Sequence, residues 1–310
     1  SAVYKAIERF GFKGGNILEP ALGSGLFYSL IPEEISAKSK LFGVELDSIS
    51  GRISKQLYQT ADIRIQGFED TDFSDNSFDV AIGNVPFGDY KLHDKRYNKL
   101  NLNIHDYFFA KTLDKVRPGG IIAFITTKGT LDKANSSFRK YLAERAELIG
   151  AIRLPNTAFK QMANTEVTTD IIFLQKREHP IILETEPNWI GLGYTEDNVP
   201  VNQYYLDNPQ MLLGKMVFFR KMYGNENDTG LVAIEGENIE TSINNAIQYL
   251  NARIESTVTE KEDSQEEYIP ADPDVKNFTY VVKDQSLYYR ENSRMIKVNL
   301  PDKSIERVKG

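Results

Sequence analysis

From the start of the chain to about Arg177, short apolar runs alternate with amphipathic stretches of helix length, and this alternation constrains the fold more than any other feature. The runs are Asn16–Glu19, Leu41–Glu45, Ile63–Gln66, Phe78–Asn84, Ile121–Thr126, Leu148–Leu154 and Thr169–Gln175. Each is rich in β-branched or aromatic residues and bounded by Gly, Pro, Asp or Asn, the composition of a strand. Between most of them lie helix-length segments: Leu26–Lys38, Ser48–Thr60, His105–Val116 and Ser136–Ala146. Such alternation predicts an α/β fold, a doubly wound, mostly parallel seven-stranded sheet with helices on both faces. The last two runs are joined by a long loop, Pro155 to Thr168, a spacing that suits a closing strand of altered direction.

Beyond Arg177 the alternation stops. Residues 1–177 are therefore expected to form the main domain, and 178–256 an irregular and helical extension. Within it, Asn238–Glu255 has the period of one amphipathic helix, with Ile239, Ile243, Ala246, Ile247, Leu250 and Ile254 on a face. Residues 257–276 are acidic and polar, as a linker would be. Residues 277–310 alternate like a small β element, with turns at Lys283-Asp284 and Glu291-Asn292. The chain opens at Ser1-Ala2 without an initiator Met and reads as a segment of a longer polypeptide.

Composition removes several classes of function. There is no cysteine, so disulfides and thiolate metal sites are excluded. The three histidines, His93, His105 and His179, are too scattered to suggest a metal site, and none is expected. No apolar run is long enough to span a bilayer, and no membrane partner is expected. The net charge of −7 conceals a basic region, since residues 84–160 hold 14 Lys and Arg against 7 Asp and Glu. A local nucleic-acid face therefore stays open.

Four motifs stand at the carboxyl ends of consecutive strands, where open α/β sheets bind ligands. In "NILEPALGSGLF", Glu19-Pro20 and then Gly23-Ser24-Gly25 open a helix, and glycines there let a backbone approach a ligand closely. The plainer alternative is a strand–helix turn. In "LFGVELD", Glu45 lies about 20 residues past the glycines, the spacing at which an acid reaches ribose hydroxyls. Asp47 stands where a helix cap would. In "IQGFEDT", Phe68 and Glu69 are placed to stack on an adenine ring and to accept from its amino group; a loop with a packed Phe is the competing reading. In "FDVAIGNVPFG", a buried strand ends in Asn84-Val85-Pro86-Phe87. An exocyclic amine conjugated to a ring is a poor nucleophile. Two acceptors, Asn84 Oδ1 and the Val85 carbonyl, would draw its nitrogen toward tetrahedral geometry, with Pro86 stiffening the loop and Phe87 stacking on the ring.

The strings "LEPALGSG", "GVELD", "GFED" and "FDVAIGNVPFG", in this order, resemble the amino-methyltransferases that use S-adenosyl-L-methionine, specifically the gamma-type adenine-N6 DNA methyltransferases. "RPGGIIAFIT" and "AIRLPNTAFKQMANTEVTTDIIFLQK" resemble the later strands of that group, especially type I modification subunits. Residues 14–177 resemble more narrowly the methylase segment of large helicase–methylase proteins of bacterial conjugative elements. The resemblance implies a Rossmann-like class I methyltransferase fold and transfer of a methyl group to adenine N6 in a flipped-out DNA base. It implies that Glu19, Pro20, Ala21, Gly23 and Gly25 cradle the cofactor's amino-acid end, that Glu45 and Leu46 hold its ribose side, and that Phe68 and Glu69 hold its adenine. Asn84, Val85, Pro86 and Phe87 would take the target base. Tyr90, Lys91, Lys95, Arg96 and Lys99 form a candidate phosphate-and-stacking loop, against the ordinary alternative of a solvated charged loop. Partners implied are DNA and further domains of the same polypeptide, a helicase among them, in a bacterial cytoplasm.

Two departures from the family stand out. Val85 replaces the first Pro of the usual Asn-Pro-Pro-Phe or Tyr, which preserves the carbonyl but loosens the loop. The Thr-Pro element that gamma-type enzymes carry upstream of the first helix is absent from this chain, so weak cofactor binding is expected. Two other functions compete: an amino-methyltransferase acting on RNA or protein glutamine, and a catalytically inactive methylase-fold scaffold.

Overall fold

The computed structural model describes residues 2–158, 167–219 and 228–255, and beyond these 268–272, 274–276, 279–283, 286–291 and 294–298. The chain divides into two compact units, Ser1–Val258 and Thr259–Gly310. The first is built on seven strands: β1 (Asn16–Glu19), β2 (Lys40–Glu45), β3 (Asp62–Ile65), β4 (Phe78–Asn84), β5 (Val116–Thr127), β6 (Ala146–Leu154) and β7 (Thr169–Lys176). Their order is β3-β2-β1-β4-β5-β7-β6. The pairs from β3 to β5 are parallel, and β7 runs antiparallel to both β5 and β6. This is the doubly wound, mostly parallel sheet that the alternation predicts, with β7 as the strand of altered direction.

Strand β4 shows why the pattern was readable. Six of its residues are buried and only the last, Asn84, is exposed, as expected for a central strand covered on both faces. The connecting helices are α1 (Ala2–Arg9), α2 (Leu26–Ser29), α3 (Glu33–Ser36), α4 (Ser48–Leu57), α5 (Ile104–Lys115), α6 (Gly129–Asp132) and α7 (Ser137–Arg145). The expected single helix Leu26–Lys38 is two short ones, because Pro32 has no N–H to continue the ladder and instead starts α3. Helix α5 is buried almost all round, charged residues included.

The expected helix Asn238–Glu255 is also shorter, Ile239–Ile247. Arg9 takes the free carbonyls at its end, donating to Gln248 O (2.9 Å) and Leu250 O (3.1 Å). The chain then turns along α1, where Ile254 N–H donates to Phe10 O at 2.8 Å. Leu250 and Ile254 remain buried, so the apolar period continues although the helix does not.

Residues 178–255 are irregular, with two small ladders: β8 (Leu192–Tyr194) with β9 (Pro200–Asn202), and β10 (Lys215–Phe219) with β11 (Asp228–Val232). They nevertheless share one apolar core with the sheet, through Trp189, Val201, Tyr205, Met211 and Leu231 among others. The join is made at edge strand β6. Leu213 N–H donates to Arg153 O at 3.0 Å and Asn156 N–H to Leu231 O at 2.9 Å, so the edge is covered rather than open. Beneath this seam the Arg153 guanidinium is fully buried between two carboxylates, with Nε to Asp170 Oδ1 at 2.7 Å and Nη1 to Asp132 Oδ2 at 2.6 Å. It lies 4.4 Å over the Tyr205 ring. Asp132 also accepts from Asn202 N–H (3.0 Å), and Asn202 Nδ2 donates to Leu131 O and Trp189 O, both at 2.8 Å.

In the second unit, β12 (Tyr268–Pro270), β13 (Tyr280–Lys283), β14 (Ser286–Glu291) and β15 (Arg294–Val298) form an antiparallel sheet ordered β12-β15-β14-β13. Strand β12 comes from the stretch expected to be an acidic linker, most of which lies outside the described residues, as do Asp284 and Asn292 of the two expected turns. Among the described residues no helix is long and apolar enough to cross a membrane.

Removing one member of a buried ion cluster strands the others. Arg153→Met leaves buried Asp170 and partly buried Asp132 without their cation and is expected to cost about 3–5 kcal/mol in urea unfolding. A loss below about 1 kcal/mol would show that the cluster does not hold the seam.

Candidate functional site

The order of the sheet turns between β1 and β4, and the crossover connections leave these two strands in opposite directions. A crevice forms outside the carboxyl ends at such a point. Register brings the four sequence motifs together there. Glu19 is level with Gly43 of β2, Glu45 with Ile65 at the end of β3, and Leu18 pairs with Ala81 of β4, three residues before Asn84.

Glu19 is 2% exposed, and its Oε2 has no hydrogen-bond partner among the described residues. Burial first, and then the neighbouring charge of Glu45, pushes its carboxyl well above the usual carboxylate range. An unmatched buried acceptor is costly unless something supplies a donor. Pro20 is buried behind it and Ala21 half-buried.

The glycine turn follows. Gly23 and Gly25 have φ of +58° and +82°, in the left-handed region that favours glycine. A side chain at Gly25 would strike the Tyr58 ring, whose hydroxyl donates to Gly25 O at 2.7 Å. A Cβ at Gly23 would instead meet nothing within 4 Å, so this position faces open space. Glu45 ties the turn to β2: Oε2 accepts from Gly23 N–H at 2.6 Å and Oε1 from Asp47 N–H at 2.7 Å. Each carboxylate oxygen has a second lone pair, so Glu45 keeps acceptor capacity for a ligand. Asp47 caps α4 through Ser50 N–H (2.7 Å), and Leu46 beside it is 74% exposed.

Phe68 does not meet its expectation. Its ring is 2% exposed and packs against Phe108 at 5.2 Å and Tyr107 at 6.4 Å, with the Lys111 ammonium 5.1 Å from its centroid. No free face is left for stacking, and the competing reading, a packed Phe, is the one seen. Glu69 is half-buried, and its carbonyl accepts from Lys111 Nζ at 2.9 Å.

Asn84 is exposed at the tip of β4, level with Ile125 of β5. Val85 is buried and donates its N–H to Ile125 O at 3.0 Å, which fixes the first step of the loop. Among the described residues neither the Asn84 side chain nor the Val85 carbonyl makes a hydrogen bond. Two uncommitted acceptors thus stand side by side. Pro86 is half-buried and Phe87 40% exposed.

The basic loop after the motif is pinned rather than loose. Arg96 pairs with Asp75 and Asp114, both at 2.8 Å, and Lys91 donates to Asn101 Oδ1 at 2.6 Å. Tyr90 is 52% exposed; Lys95 and Lys99 are exposed with no partner among the described residues. Tyr97, expected from sequence as a stacking member of this loop, is instead buried, and acids not foreseen, Asp94 and Asp114, do the anchoring. Asp94 accepts from Tyr107 OH (2.7 Å) and Lys111 Nζ (3.1 Å), and Asp114 from Tyr97 OH (2.5 Å). For Tyr107, Lys111 and Asp114 the only signal was the scarcity of water-facing positions in "IHDYFFAKTLDK". Among the described residues no cluster of three His, Cys, Asp or Glu could hold a metal ion.

Glu19 yields a pH test. Its folded-state affinity for a proton is raised, so native protein binds more protons than unfolded protein above the ordinary carboxylate range. Stability then falls as pH rises through that interval. Glu19→Gln is expected to raise the melting temperature at pH 8 and to lose that advantage as pH falls toward 4. An equal effect at both pH values would contradict the buried carboxylate.

Residues 30–159 match the Eco57I restriction-modification methylase family. The chain is 32% identical over 184 residues to the "Defense against restriction protein B" of Escherichia phage P1, covering 57% of this chain and 8% of that protein. It is 26% identical over 200 residues to the Type I restriction enzyme MjaIX methylase subunit of Methanocaldococcus jannaschii, covering 56% of this chain and 35% of the relative. The matched part thus spans a small share of the first and about a third of the second. The fold is shared with the methyltransferase subunit of a type I restriction-modification system from Streptococcus thermophilus, at TM-score 0.50 and 16% identity over 81% of this chain and 52% of that one. Over residues 30–159 the chain is thus similar to the Eco57I restriction-modification methylases.

Proposed function

We propose that this domain transfers a methyl group from S-adenosyl-L-methionine to the exocyclic N6 of an adenine in DNA. The observation that carries this reading is the pair of acceptors uncommitted among the described residues, Asn84 Oδ1 and Val85 O, one strand away from Glu19, whose Oε2 likewise has no partner among them. The site fits the cofactor by its own chemistry. Glu19 lacks a donor, Gly23 faces open space, and Glu45 retains lone pairs suited to ribose hydroxyls. Leu46, largely exposed, would cover one side of the adenosine. Glu69 stays a candidate acceptor for its amino group, and Phe68 would contribute backbone only.

When bound, the cofactor supplies an electrophilic methyl group on sulfonium. The chain's part is orientation. Asn84 and Val85 accept the two N–H bonds of the adenine amine, which withdraws its lone pair from the ring and aims it into the crevice. Phe87, partly exposed beside them, is available to stack on the extruded base. No strong base is needed, because the N–H proton becomes acidic once the nitrogen has gained its new bond and can pass to water. Lys95, Lys99 and Tyr90 are the members of the basic loop free to meet phosphate; Arg96 serves the loop's own folding. DNA as substrate, further domains and a bacterial cytoplasmic setting belong to the same proposal.

Asn84→Ala is expected to abolish methyl transfer to DNA, a loss of at least about a hundredfold on the scale of a lost transition-state acceptor. Cofactor binding by calorimetry should stay within about twofold of wild type. Undiminished transfer by the variant, or labelling of RNA or protein but not DNA, would overturn the proposal.

A further inference from the structure

Beside the crevice lies a second cleft, of about 280 Å3, between the turn Leu100–Asn103, the first turn of α5, and the segment from Lys133 to Tyr141. It is joined directly to the loop that carries Asn84. Ile104 N–H donates to Tyr90 O and Asn103 Nδ2 to Asp89 Oδ1, both at 2.9 Å. Its other wall follows α6, which continues from β5, the strand paired with Asn84. The cleft and the Asn84 loop therefore open on one end of the sheet.

Its lining is part aromatic and part uncommitted polar. Phe138 and Tyr141 stack on each other, with centroids 5.9 Å apart and planes at 14°. Asp106, 4% exposed, receives Lys133 Nζ on Oδ2 at 2.5 Å. Among the described residues its Oδ1 has no hydrogen-bond partner and only a 3.4 Å approach from His105 Nε2. Three amides surround the mouth, each with one end committed: Asn101 Oδ1 to Lys91, Asn103 Nδ2 to Asp89, and Asn135 Oδ1 to Ser137 N–H. Their other ends, donors at Asn101 and Asn135 and an acceptor at Asn103, are free among the described residues.

We infer that this cleft is a second base pocket, which receives an unstacked nucleobase next to the target adenine on the same strand. The inference rests on the DNA reading of the Asn84 site. Asp106 and Lys133 neutralise each other, which disfavours a phosphate and suits a neutral ring. A nucleobase edge carries donors and acceptors together, as this lining does. Its face matches the aromatic wall, and its size suits a cleft below the roughly 300–1,000 Å3 of drug-sized sites. Enzymes that extrude one base leave its neighbours without a stacking partner, and an adjacent aromatic surface captures that exposed face.

The test is photocrosslinking of the whole chain to short single strands of DNA with one 5-iodouracil placed successively on either side of an adenine. A crosslink to the peptide holding Phe138 and Tyr141 is expected at one neighbouring position only. Tyr141→Leu should weaken that crosslink about tenfold, the scale of one base–aromatic stack. Asn135→Asp, which keeps the acceptor for Ser137 N–H but removes the free donor, should weaken it similarly and guards against misfolding of the first variant. Crosslinks confined to the peptide of Phe87 and Tyr90 at every position would overturn the second pocket and leave the Asn84 site intact. No retained DNA at all would overturn both.

Discussion

Everything functional here follows from the position of β1 between β2 and β4. Connections from these strands run to opposite sides, so no loop crosses their carboxyl ends, and a cleft is unavoidable. The chain fills this place with residues that would be liabilities elsewhere: a buried carboxyl oxygen without a donor among the described residues, a left-handed glycine over open space, and an amide with neither end committed among them. Any one could be local accident. Their convergence at the ends of two neighbouring strands, β1 and β4, brings together groups 65 residues apart between Glu19 and Asn84.

The parts legible in sequence were those governed by period and strand ends. Asn16–Glu19 and Phe78–Asn84 have the same limits in sequence and structure, because a strand covered on both faces must be apolar until it reaches its ligand-binding end. The Asp47 cap followed from capping chemistry. Phe68 was misread because an aromatic at a strand end is equally suited to core and to ligand. Only the later arrival of Phe108 and Lys111 over its ring decides between them. The helix after Asn238 was overextended for a related reason, since burial against α1 sustains an apolar period without helical hydrogen bonds.

Charge told least. The basic excess of residues 84–160 suggested a polyanion face, yet Lys111, Lys115, Arg139 and Arg153 are all buried, and Arg96 is held by two aspartates. Much of that positive charge works inside the protein, balancing carboxylates that pin loops and seams. What remains at the surface for a polyanion is a small set of exposed lysines and a tyrosine around the Asn84 loop. Such a sparse set suits a domain that handles one nucleotide better than one that reads a long sequence.

The seam at Arg153 bears on where this domain can be cut or joined. By family resemblance the methylase segment ends near Arg177, and an engineer exchanging such segments between proteins would splice there. Yet the cation that closes the sheet's β6 edge draws its setting from both sides of that splice: Asp132 and Asp170 before it, Asn202, Tyr205 and Met216 after it. A graft that takes the sheet alone would inherit a charged, open edge strand. The irregular half is, in effect, the cover without which the regular half cannot be transplanted.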